Sequence, residues 1–345
     1  MHASLIVPAP FSAVTGGYAY DRRIVAGLRE AGHGIEVLEL AGRHPVADEA
    51  ARDAACAAWD SVSTVSRPII DGLALPAFAG LGDAVAARST VGLVHHPTSL
   101  ESGLSEAERT TLLALEQHLF ARLTRIIVTS EATANCLAAD YRVSRERIRV
   151  IVPGTEDAPR GAGSGAPTCR VLSIGTLIPR KGHDLLLRAL ARLFDLDWHL
   201  TIVGSSERDR VHARELTALA EQLGVDRRVR FAGEVTGGAL EALWREADLF
   251  ALATHWEGYG MVVAEALKRG VPVAVSNGGA AGHLVTEEAG VVCPAGDQVN
   301  LSKALRRLIF SKELRRGMAE AAWQVGQSLP SWQTQVRDFA QALAD

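Results

Sequence analysis

The chain has 345 residues, a length that suits two α/β domains of roughly 150 residues each better than one small core. Hydrophobic residues make up 48% and charged residues 22%, which excludes wholesale disorder. With 36 Lys and Arg against 40 Asp and Glu the formal charge is −4, so the overall balance favours neither nucleic acid nor an anionic bilayer as a partner.

The opening MHASLIVPAP holds only about four consecutive apolar residues and no basic stretch, too short for a signal peptide or a membrane span. A cytoplasmic location is the expectation, with peripheral membrane contact left open. Residues 4–8 (SLIVP) predict a strand, PFSAVTGGY a glycine-rich loop containing Gly16 and Gly17, and DRRIVAGLREAGH a helix that stops at Gly32. GIEVLEL predicts the next strand, and the stretch near 59–75 is hard to assign because prolines break it. VGLVHHP (91–97), TRIIVTS (124–130) and RIRVIVP (147–153) predict further strands, with helical periodicity between several of them. Strands alternating with helices indicate a parallel sheet covered on both faces.

Residues 156–168 are rich in Gly, Pro and Ala without apolar periodicity and read as a linker between a domain of 1–155 and one of 169–328. In the second domain, strands CRVLSIG, WHLTIVG, VRFAG, LFALAT, VPVAVS and GVVCP alternate with helical segments, including 182–194, 260–269, 300–308 and 312–327. A last amphipathic segment, 329–345, follows the break at Leu329-Pro330. Two domains imply a cleft. The cysteines at 56, 136, 169 and 293 are scattered, with no C-x-x-C and no metal-ligand spacing, so they read as reduced thiols and no metal site is expected.

Most of the chemical information lies in HWEGYGMVVAEALKRGVPVAVSNGG (255–279). Strand LFALAT ends in a loop where Gly258 and Gly260 permit close backbone approach, and a helix begins there. The free N–H groups and positive end of such a helix suit a diphosphate. Glu257 precedes the first turn, and Glu265 lies about five residues inside, roughly 7 to 8 Å along the axis. The two carboxylates therefore bracket an anion-binding helix end. Glu265 sits among Val263, Ala264, Ala266 and Leu267, where an unpaired carboxylate is costly and a ligand hydroxyl is a suitable partner. In SIGTLIPRKGHDLLLRAL (173–190), Arg180 and Lys181 occupy a strand-to-helix loop, where cations neutralise a diphosphate leaving group.

E-G-Y-G-M-V-V-A-E resembles the E-x7-E signature of the retaining GT-B glycosyltransferases of family 4. The resemblance implies two Rossmann-like α/β domains facing across a cleft. It assigns the donor sugar hydroxyls to Glu257, the diphosphate to backbone amides of Gly258, Tyr259, Gly260 and Met261, and the ribose to Glu265. The loop after 173 is similar to the family's G-R-L-x-x-x-K-G motif, which brings Gly175 and Lys181 into register; Thr176 stands where the family has Arg, and Arg180 is a candidate replacement. The segment RFAGEV implies that the backbone at Glu234 and Val235 borders the nucleobase, while Asp248 reads as a cap or loop-positioning residue. Gly16-Gly17 resembles the family's loop against the donor phosphate or the acceptor. His95 matches a family histidine that helps bind the donor sugar, and His96 replaces an acidic neighbour. Ser99 and Glu101 follow on the same loop as acceptor-side candidates. The final segment resembles the tail that crosses back onto the first domain.

The implied reaction moves a sugar from a nucleotide-sugar to a hydroxyl acceptor with retention. Arg180, Lys181 and the helix amides absorb the leaving charge, and with two cations and a helix terminus already offsetting that charge no metal or other cofactor is expected. A UDP-sugar is the expected donor, with GDP- and ADP-sugars as alternatives. A nucleotide-sugar epimerase, a phosphorylase and a non-catalytic nucleotide-sugar-binding subunit share the fold and remain as alternatives. A dinucleotide-binding dehydrogenase does not fit, since no G-x-G-x-x-G follows either opening strand.

Overall fold

A computed structural model describes residues 1–101 and 103–344. The chain divides into two compact units, one of residues 1–154 with 330–345 and one of residues 155–329.

Unit 1 runs β1 (His2–Pro8), α1 (Gly16–Glu30), β2 (Gly34–Leu40), α2 (Glu49–Ser61), β3 (Arg67–Asp71), α3 (Gly82–Ala86), β4 (Val91–Val94), α4 (Glu106–Phe120), β5 (Arg125–Val128), α5 (Glu131–Asp140) and β6 (Ile148–Val150). Its six strands are ordered β2-β1-β3-β4-β5-β6 and every pairing is parallel. Strand order therefore reverses between β1 and β3. The segment that prolines obscured contains the central strand β3: Pro68 is its second residue, opposite Ser4 of β1, and the run ends in Asp71. A proline is tolerated near a strand start, where its missing N–H costs the ladder least. One face of the sheet carries Ile6, Ile70, Val94, Ile126 and Val128 against Ala51, Ala55 and Trp59 of α2 and Leu119 and Phe120 of α4.

Unit 2 runs β7 (Cys169–Ile174), α6 (His183–Ala191), β8 (Trp198–Val203), α7 (Arg210–Gln222), β9 (Val229–Phe231), α8 (Gly237–Glu246), β10 (Leu249–Leu252), α9 (Met261–Lys268), β11 (Val273–Ser276), β12 (Gly290–Cys293), α10 (Gln298–Phe310) and α11 (Lys312–Ser328). The parallel strands are ordered β12-β11-β10-β7-β8-β9, so the reversal falls between β7 and β10. Alternation along the strands feeds two cores. Val171, Leu200, Ile202, Ala251 and Ala274 pack with α6, α7 and α10, while Leu172, Phe250, Leu252, Val273 and Val275 pack with Trp244 of α8 and with Val263, Ala266 and Leu267 of α9. Both faces are covered, which is why the strands read as continuous apolar runs.

The last helix, α12 (Trp332–Ala344), belongs to unit 1. It packs on α1, where a Cβ at Gly27 would lie 2.4 Å from Val336, and its end carbonyls at Ala342 and Leu343 accept from Arg125 and Arg67. The segment read as a linker has no helix or strand over 156–168 and is tied to unit 2 throughout. Lys268 pairs with Asp157 at 3.0 Å, Gly161 N donates to Arg269 O at 2.8 Å, and Ser164 bonds both oxygens of Asp248. Asp248 thus positions a loop, accepting from Arg170 N as well. No described helix is long and apolar enough to cross a membrane.

Candidate functional site

In unit 2, the chain leaving β7 turns at Gly175, whose N–H donates to Val203 O at 2.8 Å. A Cβ at Gly204 would lie 1.9 Å from Gly175 O, so only glycine lets the two strand ends cross. Residues 179–181 then form a 3₁₀ turn that ends at Gly182 in the left-handed region, φ +63°, where a Cβ would stand 2.0 Å from Ala253 O. That approach presses the turn against the loop after β10. His255 N donates to Arg180 O at 2.8 Å, and the buried Thr254 hydroxyl donates to the same oxygen at 3.0 Å. His183, fully buried at the start of α6, lies 3.2 Å through Nε2 from Gly175 O. Burial pushes its pKa down to about 4, with Lys181 adding to the shift, so the ring is a neutral donor that holds the loop.

These contacts bring the candidate cations and one carboxylate together at the point where strand order reverses, the usual ligand position in open α/β sheets. Lys181 Nζ pairs with Glu257 Oε1. Arg180 Nη1 is 3.7 Å from the same oxygen and donates to Trp256 O at 2.7 Å, and Thr254 Oγ1 lies 3.3 Å from it. Glu257 is only 8% exposed. Its own backbone is clamped by a parallel bridge to Gly279, with Glu257 N donating to Gly278 O and Ala280 N to Glu257 O. Side chains at Gly278 or Gly279 would come within 2.2 Å of His255 O or Glu257 O. The sequence reading assigned these two glycines and Thr254 no role; the N-G-G triplet after β11 was the available signal.

α9 begins at Gly260, φ +98°, with no side chain capping it, so its first N–H groups remain for a ligand. Tyr259 is buried and its hydroxyl is pushed up to about 12 by burial. Glu265, one turn further, is half-buried, and its carboxylate accepts no hydrogen bond among the described residues. Burial raises its pKa to about 7, opposed by Arg269 and reinforced by Glu241. Arg269 itself pairs with Glu241 and lies 5.2 Å over the Trp244 ring. The loop after β9 is joined to this region by Gly204 N donating to Gly233 O at 2.9 Å; there Glu234 is exposed and Val235 half-buried.

In unit 1, Gly16 and Gly17 are the first residues of α1, with Thr15 as the N-cap. Space around Gly16 is open, whereas a Cβ at Gly17 would stand 3.1 Å from Cδ2 of His95. Gly17 therefore makes room for the histidine that follows β4. His95 Nε2 is 2.9 Å from Asp21 Oδ1 and 3.9 Å from Asp71 Oδ2. Both aspartates are essentially inaccessible, and sequence reasoning missed them: Asp21 looks like a helix surface charge, and Asp71 ends the strand that prolines hid. These three are the group of possible metal ligands among the described residues, with donor atoms within 4.8 Å of one another. His96 Nε2 lies 2.8 Å from Glu101 Oε1, so these two acceptor-side candidates are partners. Ser99 is 2% exposed, and its hydroxyl donates to Glu116 Oε2 at 2.8 Å and lies 2.5 Å from the Tyr141 hydroxyl. Glu116 also takes Thr98 N and Oγ1 and Ser99 N, so Ser99 helps fix an internal turn.

Residues 162–325 match the model of glycosyl transferases group 1, and residues 69–158 match that of glycosyltransferase family 4. The chain is 29% identical over 252 residues to a D-inositol 3-phosphate glycosyltransferase of Saccharomonospora viridis (68% of this chain, 58% of the relative), and 30% identical over 258 residues to one of Salinispora tropica (67% and 53%). It thus spans little more than half the length of these curated relatives. The fold is similar to that of sucrose-phosphate synthase from Thermosynechococcus elongatus, with TM-score 0.82 at 20% identity over 99% of this chain and 98% of the other. It is also similar to Anabaena HepE in complex with UDP-glucose, with TM-score 0.76 at 18% identity over 99% and 100%. With two doubly wound units, matched family models and a cation-carboxylate cluster at the strand reversal, the chain belongs to the family 4 glycosyltransferases of GT-B fold.

Proposed function

We propose that the chain transfers a glycosyl group from a nucleotide-diphosphate sugar to a hydroxyl acceptor, with retention of anomeric configuration and without a metal ion. The observation that carries this reading is the convergence of Lys181, Arg180 and Thr254 on Glu257 beside the uncapped start of α9. Two cations and a helix N-terminus match the two charges that develop on a departing diphosphate. When the donor binds, Lys181 and Arg180 turn to the phosphates and Glu257 is released to accept from sugar hydroxyls. Glu265, with no donor among the described residues, accepts from the ribose. A UDP-sugar is the favoured donor, supported by the similarity to HepE, which was solved with UDP-glucose.

The test is direct. UDP-glucose, GDP-mannose and ADP-glucose are titrated calorimetrically in chelator, and turnover is followed with a panel of hydroxyl acceptors. Nuclear magnetic resonance of the product then reads the anomeric configuration. Inversion, or activity that chelator abolishes and manganese restores, overturns the corresponding part of the proposal. Donor consumption without an acceptor identifies an epimerase or hydrolase instead.

A further inference from the structure

We propose that unit 2 carries a further anion site, separate from the cluster at Glu257: an arginine-lined groove over the starts of β7, β8 and β9 that takes a small molecule bearing two phosphoryl groups. It lies at the opposite end of these strands from the loops that hold Lys181 and Glu257, and it stands whether or not the proposed transfer does.

The groove exists because the second face of the sheet is bare at one side. α8 covers Leu172, Val203 and Phe250 through Trp244, and it ends at Glu246. β8 lies inside the sheet between β7 and β9, where a parallel strand is ordinarily apolar on both sides. Here it alternates instead. Trp198, Leu200 and Ile202 are buried, whereas along the second face Val203 is covered, Thr201 half-buried and His199 exposed. Register extends this polar strip sideways, because residues paired across neighbouring strands share a face. His199 is paired with Arg170 of β7 and Thr201 with Arg230 of β9, and both arginines are exposed. The strip floors a groove of about 420 Å³, walled by Leu243 and Glu246 of α8, by Thr168 before β7 and by the turn at 226–228. A concavity of that volume suits a small molecule.

Charge selects the ligand. The groove's arginines are Arg170, Arg227, Arg228 and Arg230, and its one acid is Glu246, which pairs with Arg170. Arg228 is held in place, donating to Leu196 O at 2.9 Å and lying 5.3 Å over the Trp198 ring. Arg227 and Arg230 have no hydrogen bond or ion pair among the described residues. Like charges side by side on a sheet destabilise it, and this chain, with 40 acidic residues, sets only one of them here. Three arginines are thus left uncompensated, and a bisphosphate supplies the matching charge in a small volume. Guanidinium forks bind phosphoryl oxygens in pairs, and the Thr201 hydroxyl adds a neutral donor. Arg170 and Arg230 stand two strand spacings apart, about 10 Å, too wide for a single phosphate to bridge. Two phosphoryl groups, one at each of these arginines, use the whole width.

The experiment titrates the full chain calorimetrically, in chelator and at fixed salt, with glucose 1,6-bisphosphate, pyrophosphate and inorganic phosphate. Lys181→Ala disables the donor cluster. The bisphosphate is expected to bind wild type and Lys181→Ala alike, about tenfold more tightly than inorganic phosphate, with pyrophosphate between them because one bridging oxygen separates its phosphorus atoms. Arg230→Glu is expected to weaken the bisphosphate by about tenfold or more, and Arg227→Ala by less. Both side chains are exposed, so the thermal unfolding midpoint should not move. In isotope-labelled protein the His199 resonances, identified by their loss in His199→Gln, should shift as the bisphosphate is added. Arg192→Glu, at an exposed arginine outside the groove, controls for total charge. No binding, binding that Lys181→Ala abolishes, equal weakening by Arg192→Glu and Arg230→Glu, or inorganic phosphate that binds as tightly as the bisphosphate overturns the proposal. So does tighter binding of hexaglutamate, which marks a contact for an acidic polypeptide. Because every readout is binding, failure of this site and failure of glycosyl transfer are told apart.

Discussion

At the strand reversal of unit 2, two cations and a hydroxyl surround one carboxylate; at that of unit 1, two carboxylates surround one imidazole. Both groups use the same place in a parallel sheet, the carboxyl ends of strands on either side of the reversal. The excess of positive charge in unit 2 is suited to receive an anion. In unit 1 two buried carboxylates flank the one ring for which Gly17 leaves room. A shared fold thus supplies position, and the charge of a few loop residues sets the chemistry.

The sharpest way to break the contrast is Lys181→Ala. Removing one donor to a developing oxyanion costs about 10²- to 10³-fold in kcat, and the loss is read by steady-state turnover of UDP-sugar. It also takes the paired cation from the mostly buried Glu257, so Lys181→Ala/Glu257→Gln is expected to regain thermal stability without regaining activity. Equal loss of kcat from an exposed lysine such as Lys303 would remove the special place of the unit 2 cluster.

Next in size is Gly182→Ala. With φ +63° and Ala253 O only 2.0 Å from the new Cβ, the turn must shift, and a loss of about 3 kcal/mol in denaturant unfolding is expected together with weaker donor binding. Glu265→Gln is expected to lower donor affinity about tenfold by calorimetry, the scale of a charge-assisted hydrogen bond. Its pH dependence is more informative. In the proposed complex ribose hydroxyls donate to the ionised carboxyl, whose pKa is raised to about 7, so wild-type affinity should rise with pH through that value and then level. Glu265→Gln should abolish that rise. The smallest effect compares neighbours at the start of α1: Gly17→Ala displaces the His95 ring and is expected to lower kcat/KM about tenfold, while Gly16→Ala, with open space around it, costs less.

Elements were legible wherever local pattern and tertiary role agree. Helix 260–269 corresponds to α9 at Met261–Lys268, and the strand read at 249–254 to β10 at Leu249–Leu252, because buried parallel strands and two-faced helices carry their signals in consecutive residues. β3 was obscured because Pro68 reads as a break, and only pairing with β1 shows that it is tolerated. The cation-carboxylate site was legible because Lys181 and Glu257 belong to motifs with fixed spacing. Asp21, Asp71 and Thr254 were not, since each lies alone in its own stretch and acquires meaning from residues 24 to 74 positions away.

The sequence by itself determined the two α/β units, the placement of their loops and the family. Periodicity, glycine positions and short motifs are local properties, and each is written within one element and its following loop. Only the tertiary structure decided the electrostatics: that Lys181 faces Glu257, that burial raises Glu265, that Ser99 turns inward to Glu116, and that two aspartates flank His95. Charge interactions depend on distance and on exclusion of water, and both arise when strands far apart in the chain are placed side by side.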